Sequence, residues 1–214
     1  MSAASGFTAG CGLTLLALAA LLRAEWRGSR PGVWLAKPLA SFGFLWAAAA
    51  AGAVETAYGR CVLAALVLSF LGDVLLIPKA RASFLAGLVS FLLAHLAYSG
   101  AFAVRGISWV GAAGAAAAVG PVAFVAWRWL RPHVDAPLRG PVLVYVAVIS
   151  TMVLLAAGTV AAAARPALLA GALAFYGSDL AVARQRFVRR SFWNPAWGLP
   201  CYYGGQLLLA STVG

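Results

Sequence analysis

Apolar residues fill this chain in eight runs, each close to the roughly 20 residues that cross a bilayer as a helix. The runs fall at about 5–22, 34–53, 59–77, 83–104, 108–130, 141–161, 166–184 and 197–213. Between them lie turn-formers: Gly28-Ser29-Arg30-Pro31-Gly32, Pro78, Arg131-Pro132-His133, Arg165-Pro166 and Asn194-Pro195. The second and eighth runs are the weakest, being short or interrupted by glycine. The pattern predicts an all-α polytopic membrane protein with eight transmembrane helices, in a single integral membrane domain over residues 1–214.

Composition agrees. Hydrophobic residues make up 64% of the 214 and charged residues 10%, against about 25% charged in soluble domains. Sixteen Lys and Arg face five acids, a net charge of +11, and such an excess can mark a nucleic-acid partner. Here the basic residues sit between apolar spans, where topology and lipid phosphates account for them, so no nucleic acid is expected.

The basic residues also sort by connection. Arg23, Arg27, Arg30 and Lys37 flank the first, Lys79 and Arg81 the third, Arg128, Arg131 and Arg139 the fifth, and Arg184, Arg186, Arg189 and Arg190 the seventh. Only Arg60, Arg105 and Arg165 flank the even-numbered ones. This bias places the odd-numbered connections in the cytoplasm and both termini outside. No Lys or Arg precedes the first run, so it reads as an inserted helix rather than a cleavable signal peptide.

Cys11, Cys61 and Cys201 form no CxxC and cannot all pair, and His95 and His133 lie in no zinc spacing. No metal is expected.

Two acids fall inside the apolar runs. Asp73 stands in Leu-Gly-Asp-Val-Leu and Asp179 in Gly-Ser-Asp-Leu-Ala. A carboxylate near hydrocarbon is costly unless it is paired, hydrated or protonated, so each is a functional candidate. By topology both lie near the cytoplasmic ends of their helices, with Lys37 and with Tyr202, Tyr203 and Gln206 at the same depth. One acid kept protonated beside an ionised neighbour would supply a proton donor and a base. The plainer account pairs each with a cation such as Lys37 or Arg186, the latter two turns beyond Asp179. Lys37 and Arg186 could also neutralise a phosphate, or simply reach the interface. His95 and Tyr98 share a face at i and i+3; a proton relay and a simple interhelical hydrogen bond both fit. Tyr202 and Gln206, at i and i+4, could orient an acid or a head group. The 106-residue spacing of the aspartates fits a parallel four-plus-four repeat, which would set the acids facing each other across its axis, and it fits a chance likeness of Ala/Leu-rich helices as well.

Several of these segments resemble the YhhN/TMEM86 family of lysoplasmalogenases. They are Phe70-Leu71-Gly72-Asp73-Val74-Leu75-Leu76, Phe84-Leu85-Ala86-Gly87-Leu88, and Phe91-Leu92-Leu93-Ala94-His95-Leu96-Ala97-Tyr98. Ser178-Asp179 with Arg186-Phe187, Tyr202-Tyr203 with Gln206, and Lys37-Pro38 follow the same pattern. The resemblance implies an eight-helix membrane enzyme that hydrolyses the vinyl ether bond of lysoplasmalogens. It implies Asp73 and Asp179 as the catalytic pair; Lys37, His95, Tyr98, Arg186, Tyr202, Tyr203 and Gln206 are the residues expected toward the substrate. Vinyl ether hydrolysis needs one acid and one ionised carboxylate around an oxocarbenium ion, as glycosidases do, and calls for no cofactor. Partners are the lysophospholipid substrate and membrane lipids. A small proton-coupled transporter or lipid carrier would use the same acids as titrating sites. The Ala- and Arg-rich composition is that of a GC-rich genome, and so of a bacterial inner membrane.

Overall fold

The computed structural model describes residues 2–214. Among these, eight α-helices follow one another: α1 Ala3–Arg27, α2 Arg30–Ala50, α3 Ala57–Leu75, α4 Arg81–Arg105, α5 Trp109–Leu130, α6 Ala136–Ala163, α7 Pro166–Ala183 and α8 Trp193–Ala210. No strand occurs among the described residues.

Local chemistry explains where the helices begin. Ser2, Ser29, Thr56 and Ser108 each accept a hydrogen bond from the backbone N–H three residues on, capping α1, α2, α3 and α5. Pro31, Pro137 and Pro166 sit in first turns, where no N–H is required of them. The helices α2, α6 and α8 accordingly start four or five residues earlier than the hydropathy indicates. In each, a proline within the first turn (Pro31, Pro137 or Pro195) precedes the apolar stretch. Gly28 closes α1 with φ +65°, a left-handed conformation.

Seven helices are long and apolar enough to cross a bilayer, and the chain is a multi-pass membrane protein. The exception is α8, diluted by Asn194, Tyr202, Tyr203 and Gln206, all of which are buried. It packs against α7, α2, α1 and α3, so its polarity faces inward. On the outside, Leu16, Leu35, Val110 and Phe124 are exposed, as a surface bathed in hydrocarbon requires.

Successive helices pair most closely, α1 with α2, α3 with α4, α5 with α6 and α7 with α8. Small residues allow it: a Cβ on Gly10 would meet the Ala47 backbone nitrogen at 2.5 Å, and one on Gly43 would strike Thr14. By contrast α5 buries only Ala112, Ala126 and Leu130 and lies at the periphery.

The odd-numbered connections meet at one end. At the other end, Arg105 and Arg165 both donate to the Thr212 carbonyl, at 2.8 and 3.4 Å, and Arg60 donates to the Val54 carbonyl at 3.1 Å. The three basic residues that stood apart in the sequence are thus held by backbone carbonyls of even-numbered connections and the C-terminal segment.

Candidate functional site: two aspartates on one intramembrane cavity

A cavity of about 480 Å³ opens at the end where the odd-numbered connections gather. Asp73 from α3 and Asp179 from α7 both line it. Its apolar walls include Phe84, Leu88, Phe91, Val142 and Ile149. Charged residues toward its rim are Glu25, Lys79, Arg186 and Arg190.

Asp73 is almost sealed, its side chain 3% exposed. Its Oδ1 pairs with Lys37 Nζ at 3.2 Å, and its Oδ2 accepts from Ser41 Oγ at 2.7 Å and Tyr202 Oη at 2.6 Å. Lys37 and Ser41 are one turn apart on α2, so one helix face delivers both groups. Tyr203 lies 3.2 Å from the Ser41 hydroxyl and donates to the Lys37 carbonyl at 3.3 Å. Gly72 permits this depth: a Cβ there would run into the Phe91 ring at 2.7 Å.

Asp179 is more open, its side chain 16% exposed. Tyr145 from α6 donates to its Oδ2 at 2.8 Å, and His95 Nε2 from α4 lies 2.9 Å from the same oxygen. His95 is fully buried and packs against the Phe175 ring at 4.4 Å between centroids. Its Nδ1 is buried without a hydrogen-bond partner.

The expected site residues therefore divide. Lys37, Arg186 and Tyr202 line the cavity with the two aspartates. His95 stands behind Asp179, and Tyr203 behind Ser41. Tyr98 donates to Gln206 Oε1 at 2.6 Å, and Gln206 Nε2 donates to Ser69 Oγ at 3.3 Å. That chain is buried, so Tyr98 and Gln206 brace α4 against α8 and α3 rather than reach the cavity wall. Of the residues expected toward substrate, His95, Tyr98, Tyr203 and Gln206 do not line this cavity, and their polar atoms meet protein groups or are buried.

Arg186 also departs from its expected face. After Ala183 the chain makes a π-helical turn, Arg184–Val188, closed by Arg189 N–H donating to the Arg184 carbonyl at 2.8 Å. Arg186 makes no ion pair with Asp179 among the described residues, and its guanidinium lies 4.2 Å from the Phe84 ring centroid. Buried Asn194 fixes this connection, accepting from Arg184 at 2.8 Å and donating to Gln185 at 2.6 Å and to the Arg189 carbonyl at 2.7 Å.

Tyr145, Ser41 and Glu25 were missed by the sequence reading. Tyr145 is an isolated phenol in the most apolar helix, and Ser41 is one turn from Lys37; both signals were present but unspecific. The two carboxyls, expected as a mutual pair, share the cavity but each binds its own set of donors.

The fold and the site define a multi-pass helical membrane protein with two acids on one cavity, Asp73 paired with Lys37 and Asp179 met by Tyr145 and His95. The YhhN family model matches residues 32–213, and the chain belongs to the YhhN family. The matched segment includes every residue that contacts Asp73 and Asp179 and begins after α1. No solved structure matches the chain.

Proposed function

We propose that this protein is an intramembrane hydrolase that cleaves the vinyl ether bond of lysoplasmalogens. The products are a fatty aldehyde and a glycerophosphocholine or glycerophosphoethanolamine. The observation that carries this reading is the composition of one cavity: two carboxyls in unlike environments, apolar walls beside them and cations at the rim. An alkyl chain suits Phe84, Leu88, Phe91 and Ile149, a phosphate suits Lys79, Arg186 and Arg190, and the ether between them falls near the acids. The YhhN family is associated with lysoplasmalogenase activity, which supports the same reading.

Hydrolysis begins when a proton adds to the outer alkene carbon and leaves an oxocarbenium ion. Water attacks that cation, and the hemiacetal collapses to aldehyde and alcohol. The protein supplies a proton donor and fixed negative charge beside the developing cation. With the odd-numbered connections in the cytoplasm, the cavity opens to the inner leaflet of a bacterial plasma membrane.

The test is to incubate purified protein with a lysoplasmalogen and measure free aldehyde, with Asp73→Asn and Asp179→Asn alongside. Aldehyde from the parent and none from either variant supports a two-carboxyl hydrolase. A folded parent that moves the lipid between leaflets without product would replace it with a carrier.

A further inference from the structure

The two aspartates differ in how many carboxyl oxygens remain free. Asp73 has none: Lys37 covers Oδ1, while Ser41 and Tyr202 share Oδ2. Those three donors, one of them a cation, stabilise Asp73 as the anion and leave neither oxygen free of a protein partner. Asp179 has both its donors on Oδ2, and no protein group bonds to Oδ1. With Oδ2 taken by two donors, Oδ1 is the oxygen left to carry a transferable proton.

His95 fixes the direction. Its Nδ1 is buried with no acceptor nearby, so a proton there would be stranded. The imidazole hydrogen is therefore placed on Nε2, where it meets Asp179 Oδ2. Lacking any partner on Nδ1, the ring cannot pass a proton onward. From other elements, Tyr145, Arg186, Arg190, Lys37 and Asp73 line the same cavity, and of these only Tyr145 bonds to Asp179.

Resting on the vinyl ether reading, we infer that Asp179 is the proton donor, acting through Oδ1, and that Asp73 is a standing anion. Tyr145 and His95 are positioning residues that engage Oδ2 and leave Oδ1 without a protein partner. The Oδ1 proton goes to the outer alkene carbon, whose π pair forms the new C–H bond, and an ether lone pair closes the oxocarbenium ion. Water adds to that ion and returns one proton to the Asp179 carboxylate. The hemiacetal hydroxyl proton then leaves as its C–O bond to the glycerol breaks, and the glycerol oxygen takes up a proton. One water is consumed and Asp179 ends as it began.

The first measurement needs no substrate. Infrared spectra of the purified protein in lipid at neutral pH resolve the carbonyl stretch of a protonated carboxylic acid from carboxylate and amide bands. That band is expected in the parent and in Asp73→Asn, absent in Asp179→Asn, and displaced in Tyr145→Phe. Its loss in Asp73→Asn with survival in Asp179→Asn would overturn the assignment, as would its absence from the parent. The second uses turnover. Gln places an N–H where His carries Nε2, and Asn does not, so His95→Gln keeps kcat within about fivefold while His95→Asn loses about 100-fold, with KM little changed in both. A folded His95→Gln as inactive as His95→Asn would make the imidazole itself a proton carrier and sink the positioning role. A parent that shows the Asp179 band but releases no aldehyde overturns the hydrolase reading alone.

Discussion

Asp73 draws its partners from α2 and α8, and Asp179 draws its own from α6 and α4. Each acid is thus served by the helix before its own and by the closing helix of the other set of four. The spacings are close: Asp73 and Asp179 stand 106 residues apart, Ser41 and Tyr145 104, and His95 and Tyr202 107. A parallel four-plus-four repeat would produce this correspondence. The chemistry at the two positions diverges. Around Asp73 stand a cation and two hydroxyl donors, and the carboxylate is sealed; around Asp179 stand a phenol and an imidazole on one oxygen, and no protein group bonds to the other. On the proposed mechanism the two corresponding positions hold opposite protonation states, because a single cation such as Lys37 decides which state burial tolerates.

The sharpest break of this comparison is Asp179→Asn, expected to lower kcat about a thousand-fold with little change in KM, measured as aldehyde release. Equal residual activity in the Asn variants of both acids, each with the parent's infrared band intact, would erase the contrast. Next comes Lys37→Met, which strands the buried Asp73 charge and should cost about 3 kcal/mol in thermal or denaturant unfolding in detergent. Adding Asp73→Asn to it should recover most of that loss, whereas the same addition has nothing to recover if the pair contributes little. Arg186→Met should raise KM about tenfold and leave kcat near the parent value, since it removes a phosphate partner at the rim rather than a group at the reacting bond. The smallest effect is expected from Tyr98→Phe. It leaves buried Gln206 Oε1 without its donor and should cost about 1 kcal/mol of stability, with turnover unchanged. A large loss of turnover there would move Tyr98 from brace to substrate contact.

The distinction between brace and wall is where sequence reading ran short. Lys37, Tyr202 and Arg186 reach the cavity, but Tyr98 and Gln206, equally polar and equally deep in apolar helices, turn to each other. Helical periodicity ranks residues by face and not by the neighbour that face meets. Arg186 shows a second limit, because the i+7 rule assumes regular α-helix and the π-turn at Arg184–Val188 breaks it. Tyr145 shows a third: a lone tyrosine in an apolar helix carries no signal until another element supplies its partner.

What the sequence determined by itself is one-dimensional. Runs of hydrocarbon side chains set the helices, and the arrangement of Lys and Arg set which connections share an end. The placement of Asp73 and Asp179 near the ends of their runs set a common depth. These follow from transfer free energy and charge, which act residue by residue along the chain. The tertiary structure alone decided the rotation of each helix and hence which donor meets which carboxyl oxygen. Ser41 reaches Asp73 across 32 residues, Tyr202 across 129, and His95 reaches Asp179 across 84. Contacts of that range depend on how small residues such as Gly10, Gly43 and Gly72 let the helices approach, and close packing is a property of the assembled bundle.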